Sequence, residues 1–336
     1  MSYTATEYVR IKGKSVKPSM RFTPDKDFNE WRKEASAKLE ELLGLPLEKC
    51  EPEIRFTGKS EGEGYTRLDF DFQSESEYWV HSSFLIPSGE KKKRPCVICL
   101  QGHSSGKHIS LGESKFPGDE KILAGRDFAL QAVSAGYCAV AIDQRYMGEA
   151  GQGQSGASHC LQGLANTGLL FGRTPIGERV WDVMALIDLL EKEFSEFIDF
   201  DNLICLGNSG GGTTTLFAAA LEERIKIAVP SCYLCTYEQS IMAMYHCACN
   251  FVPNIYKYFD MGDVACLIAP RKLLVVSGEK DDIFPIDGAK KSFSVVKGVY
   301  EFLGKGDLCE MVIGKGGHQF YPVEAYPVIR KFVDEN

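Results

Sequence analysis

The chain has 336 residues, 44% of them hydrophobic and 25% charged, enough for a large buried core. A net charge of −8 argues against nucleic acid as a partner. No apolar run approaches the ~20 residues of a membrane helix, and Met1 to Glu7 has neither the basic start nor the apolar stretch of a secretory signal. The expectation is a cytoplasmic protein without membrane or nucleic-acid partners. Oligomeric state does not follow from these features.

Residues 25–44 set Phe28, Trp31, Leu39, Leu42 and Leu43 among Lys and Glu, which predicts an amphipathic helix stopped by Gly44-Leu45-Pro46. Residues 1–50 are read as an N-terminal extension carrying that helix, and 51–336 as one catalytic domain. Residues 65–72 and 78–86 alternate apolar and polar, as half-buried strands do, and should pair antiparallel. His81 then packs on a strand face. Further strands are expected at 96–100 and 137–142, and helices at 128–135 and 178–193. Strands alternating with helices predict an α/β fold with a mostly parallel central sheet covered on both faces. The stretch 147–177 begins rich in Gly, Gln and Ser and reads as an insertion loop on the substrate side. Arg145 and Asp182 are expected to pair beneath it.

The apolar run 202–206 enters Gly207-Asn208-Ser209-Gly210-Gly211, and a helix-forming stretch follows. Strand, abrupt turn and helix give a G-x-S-x-G pattern its meaning, because the turn lifts the serine hydroxyl clear of the sheet. Gly102-His103-Ser104-Ser105-Gly106 also fits the pattern, but 107–120 is broken by Gly112, Pro117 and Gly118. Gly153 to Ala157 is a near miss inside the glycine-rich loop. Ser209 is the expected nucleophile.

A strand at 271–277 ends before Gly278-Glu279-Lys280-Asp281-Asp282-Ile283-Phe284-Pro285, where Asp281 is favoured over Asp282 as the acid. Another at 309–313 leads into Gly314-Lys315-Gly316-Gly317-His318, a loop with no regular face to hide the imidazole. The chain order Ser, Asp, His is that of the α/β-hydrolases. Twelve cysteines suit a reducing compartment. Cys232, Cys235, His246, Cys247 and Cys249 are soft donors, but the pairs lie too close for a two-knuckle pattern, and 236–245 between them reads as helical. Neither a metal nor a cofactor is expected. Cys96 and Cys99 share a strand and should face opposite ways.

The chain resembles α/β-hydrolases of the acetyl xylan esterase-like and dienelactone hydrolase-like group. The resemblance rests on Gln101-Gly102-His103, Asp143 to Gly148, Gly172-Arg173-Thr174, Arg179 to Asp182 and the elbow at Ser209. Ala269-Pro270-Arg271, Gly278 to Pro285 and Gly317-His318 complete it. Dienelactone hydrolases carry cysteine at the elbow, so serine points to the esterase side. The implied enzyme is a carboxylic ester hydrolase acting on short acyl esters, acetylated saccharides among them. His318 would act as base, Asp281 would orient it, and the amides of His103 and Gly210 would hold the oxyanion. A serine peptidase of the prolyl oligopeptidase kind is the alternative, though the stretch ahead of residue 96 is short for a β-propeller. A non-catalytic, zinc-structured binding protein has no use for Ser209, Asp281 and His318 together.

Overall fold

The computed structural model describes residues 3–51, 53–151 and 165–335. The first helices are α1 (Ala5–Lys14) and α2 (Phe28–Leu43). Strands β1 (Ile54–Gly62), β2 (Tyr65–Glu75), β3 (Tyr78–Pro87) and β4 (Arg94–Leu100) follow, then α3 (Phe128–Ser134) and β5 (Cys138–Ile142). The second half runs α4 (Pro175–Glu193), β6 (Ile198–Asn208), α5 (Gly210–Leu221) and β7 (Ile227–Ser231), then two short helices, α6 (Ile255–Tyr258) and α7 (Met261–Cys266). β8 (Lys272–Gly278), α8 (Ile286–Phe302), β9 (Cys309–Gly314) and α9 (Pro322–Asp334) close the chain.

The described strands form one nine-stranded sheet in the order β1-β2-β3-β5-β4-β6-β7-β8-β9. The pairs β1–β2, β2–β3 and β3–β5 are antiparallel; every pairing from β5 across to β9 is parallel. Parallel strands buried on both faces read as continuous apolar runs, and β4, β5, β7 and β8 do so. Alternation along β4 sends Cys96, Ile98 and Leu100 to one core layer and Val97 and Cys99 to the other. The cysteine pair therefore faces opposite ways, as its spacing predicts.

The apolar stripe of α2 (Phe28, Trp31, Ala35, Leu39, Leu43) joins the first layer, each large side chain contributing roughly 1.5–3 kcal/mol by burial. Asp27 caps its start by accepting from the Glu30 amide at 2.9 Å, and Gly44, at φ 77°, ends it. α4 begins with Thr174 as cap and Pro175 at its first turn. α5 is buried on nearly every face, which fits its unbroken Gly-Thr-Leu-Phe-Ala composition. The Arg271 guanidinium closes its far end by donating to the carbonyls of Glu222 and Ile225 at 2.9 and 2.8 Å. α3 and α9 cover the other face through Phe128, Ala132, Ile329 and Phe332.

Two expectations need revision or limits. Residues 236–245 form successive turns rather than a helix. Ser240 is drawn away to the Ile283 carbonyl at 2.8 Å, so tertiary contacts override the local apolar pattern. The described residues of the 147–177 stretch include short 3₁₀ turns at Gly148–Ala150 and Thr167–Phe171, while the near-miss motif at 153–157 lies outside the described residues. At its base Arg145 binds Asp182 through two nitrogens at 2.8 and 2.9 Å, the expected ion pair. Among the described residues no helix is long and apolar enough to cross a membrane.

Candidate active site

The carboxyl ends of β4, β6, β8 and β9 converge on one edge of the sheet, where the strand order reverses at β4 and β5. Open α/β sheets place their sites outside such an edge. Ser209, between β6 and α5, has φ 57° and ψ −120°, a conformation that costs a non-glycine residue energy. Its neighbours make the turn fit: a Cβ on Gly211 would collide with the Leu100 carbonyl, and one on Gly207 with the carbonyl of Gly211. Ser104, in the competing motif, is buried and stands away from the cavity that Ser209 lines. A 3₁₀ turn, Lys107–Leu111, follows it in place of a buttressing helix.

His318 donates from Nδ1 to Asp281 Oδ2 at 2.8 Å. The other carboxylate oxygen, Oδ1, accepts from the amides of Ile283 and Phe284, each at 2.9 Å. Burial pushes the Asp281 carboxyl up, but His318 and the two amides outweigh it and hold the group below the usual carboxylate range. Asp282, beside it, is exposed. The two loops lie against each other because Lys280 donates to the Gly316 carbonyl at 2.8 Å, and a Cβ on Gly278 would strike Gly317. Phe284 stacks on the imidazole at 5.8 Å between centroids and 19° between planes, which fixes the ring plane.

Ser209 and His318 share a cavity of about 240 Å³ with Gly102, His103, Arg126, Gly210, Tyr245, His246, Cys247, Asn250, Ile283 and Phe284. Neither the Ser209 hydroxyl nor His318 Nε2 has a hydrogen-bond partner among the described residues, so the two are not bonded to each other at rest. Such contacts commonly tighten only around substrate. The Gly102-His103 turn presses on the elbow: a Cβ on Gly210 would sit 2.9 Å from His103 Nδ1 and 3.5 Å from its amide nitrogen. The His103 amide nitrogen therefore lies close to Gly210, whose own amide is at the N-terminus of α5. Burial, then the neighbouring His103 and His318, lowers the His246 pKa, so this ring is neutral at neutral pH.

The cysteine-rich segment divides. Cys232 lies beside Asp281 and His318, its thiol 3.2 Å from the Gln319 carbonyl, and burial pushes it up to about 12. Cys235 instead reaches the Pro285 carbonyl. Cys247 and Cys249 join His103, with donor atoms within 4.8 Å of one another. Neither set of three suits a cation well. Asp281 already serves an imidazole and two amides, and Arg179 brings positive charge to within 3.5 Å of Cys249 Sγ. A closed structural zinc site also wants four ligands. Treatment with a chelator is therefore expected to leave activity unchanged, with elemental analysis finding less than stoichiometric zinc. One zinc per chain would overturn this expectation.

Arg126 reaches the cavity without any signal in the sequence, since it is brought there by a loop whose neighbours are distant in the chain.

A mostly parallel sheet with a strained serine between strand and helix, and an Asp–His pair on later strand ends, defines an α/β-hydrolase. Residues 3–311 match the model of the Abhydrolase family, and the chain belongs to that family. It is 27% identical over 233 residues to YtaP of Bacillus subtilis (strain 168), a protein named as a hydrolase, covering 68% of this chain and 75% of that one. A structure from Bacteroides fragilis NCTC 9343, described as an acetyl xylan esterase, superposes with a TM-score of 0.78 at 20% identity. That match covers 94% of this chain and 83% of the other. A glucuronoyl esterase from Solibacter usitatus gives a TM-score of 0.70 at 16% identity, over 99% and 98% of the two chains. At these identities the structures share the fold.

Proposed function

We propose that this protein is a serine hydrolase that cleaves carboxylic esters of short acyl groups, acetylated saccharides among them. The observation that carries the reading is Ser209 at φ 57° in one cavity with a His318 whose Nδ1 is held by Asp281 and whose Nε2 is unpartnered. Nε2 takes the Ser209 proton as the oxygen attacks the ester carbonyl. Asp281 fixes the tautomer and stabilises the imidazolium that forms. The oxyanion settles between the amides of His103 and Gly210, where losing one donor would typically cost ~2.7–4 kcal/mol. His318 then protonates the leaving alcohol, and a water activated by the same nitrogen hydrolyses the acyl-enzyme. The esterase names of the similar structures agree with this chemistry. It needs neither metal nor cofactor.

The cavity supports the short-acyl preference. Ile283 and Phe284 are the aliphatic and phenyl side chains of its described walls, beside Gly, Ser, Cys, His, Asn, Tyr and Arg. A longer chain gains ~0.8 kcal/mol per CH₂ only where apolar wall receives it. Specificity constants should therefore fall from acetyl to octanoyl para-nitrophenyl esters, measured on the purified protein. A profile rising with chain length would defeat this part of the reading. Aminoacyl nitroanilides in the same panel test the peptidase alternative, and turnover of those in preference to esters would replace the proposal.

A further inference from the structure

Arg126 stands in the wall of the catalytic cavity, half-buried, and its guanidinium meets no carboxylate, carbonyl or ring among the described residues. Residues 152–164, outside the description, contain no Asp or Glu that would complete a pair. The chain elsewhere supplies its buried arginines with acids or carbonyls: Arg145 has Asp182 and Glu75, and Arg271 has the end of α5. Leaving one partly desolvated guanidinium unpaired costs stability, and that cost is recovered when an anion arrives.

The position is held firmly. The Arg126 carbonyl accepts from Gln101 Nε2 at 2.7 Å, and its amide donates to the Leu123 carbonyl at 2.9 Å. Gln101 also donates to Ser110 Oγ at 2.7 Å and immediately precedes the Gly102-His103 turn that flanks Ser209. Burial lowers the Arg126 pKa, but a guanidinium keeps its proton in proteins, so the group is a cation. Among the described cavity residues it is the sole Arg or Lys, and His246 in the same lining is neutral. One fixed positive charge matches one negative charge. A planar carboxylate also fits the guanidinium fork through two parallel hydrogen bonds, whereas a phosphate dianion would leave charge unmet.

We infer that Arg126 is a specificity-determining residue that selects esters whose acyl or alcohol half carries a free carboxylate. The inference rests on the ester-hydrolase reading of the same cavity and names the substrate class within it. The carboxylate binds Arg126 while the ester carbonyl lies at Ser209, and the bound anion orients the scissile bond.

Two matched pairs of esters test it. On the acyl side, para-nitrophenyl hemisuccinate is compared with the levulinate, its neutral isostere. On the alcohol side, acetylated glucuronate is compared with acetylated glucose. In the wild-type protein the anionic member of at least one pair should show a specificity constant about tenfold higher or more, chiefly through KM, as suits a hydrogen bond to a charged group. Arg126→Gln should bring that ratio close to one, and Arg126→Lys, which keeps the charge without the fork, should leave an intermediate value. Absence of a wild-type preference in both pairs, or a preference that survives Arg126→Gln, overturns the inference. Loss of turnover on both members of a pair together would mark Arg126 as merely structural. Calorimetry with free succinate and glucuronate separates this question from the hydrolase reading. If no ester is cleaved but an acid binds the wild type and not Arg126→Gln, the anion site stands while the hydrolase reading falls. Equal binding to both proteins, or to neither, overturns the site.

Discussion

Ser209→Ala is expected to lower kcat for para-nitrophenyl acetate by about 10⁶-fold, the scale seen when a triad nucleophile is removed. What remains would be catalysis by the oxyanion donors alone. Ser104→Ala is the informative control, because both serines sit in a G-x-S-x-G pattern. The Ser104 hydroxyl is buried and has no hydrogen-bond partner among the described residues, so its removal orphans nothing. Activity of that variant should stay within about twofold of wild type, with stability unchanged or slightly raised. Intact mass after a serine-directed sulfonyl fluoride gives a second readout. One adduct should form on the wild type and on Ser104→Ala, and none on Ser209→Ala. Labelling that persists without Ser209 would sink the assignment.

The placement of Ser209, Asp281 and His318 was legible because each is announced locally. A strand ends, glycines permit a sharp turn, and the candidate side chain follows. The mostly parallel sheet was legible for a similar reason, since strands buried on both faces are short apolar runs between helical patterns. Other elements carried weaker signals. β1 is largely exposed along Arg55 to Glu61 and shows little alternation, so its pairing with β2 decides it. β7 contains Pro230, which argues against a central strand, yet it lies between β6 and β8 with Pro230 opposite Gly207. The turns at 236–245 illustrate the converse. A helix-like apolar pattern lost to contacts made by Ser240 with Ile283 and His246, from a different loop and a later turn. The cavity walls were the least legible part. Arg126 lines one cavity with Ser209 and Phe284 only because the loops after β4, β6 and β8 gather at the same end of the sheet, and no spacing along the chain encodes that neighbourhood.

Asp281→Asn is expected to cost about 10⁴ in kcat, as in other triads where the acid is neutralised with its shape retained. The local hydrogen bonds explain why the loss should be large here. Oδ1 of Asp281 accepts from two backbone amides, Ile283 and Phe284, and a side-chain NH₂ cannot take that place. The asparagine must therefore leave its oxygen on those amides and turn its NH₂ toward His318. Nδ1 then becomes an acceptor and the ring proton moves to Nε2, the nitrogen that should receive the serine proton. Phe284, stacked against the ring, opposes a flip that would relieve this. Asp282→Asn changes an exposed side chain and should alter kcat by less than about twofold. Steady-state kinetics on the two variants, with thermal unfolding to confirm that both fold, decides between the neighbours. A greater loss from Asp282→Asn would mean that the loop after β8 presents its acid in a register other than the one described here.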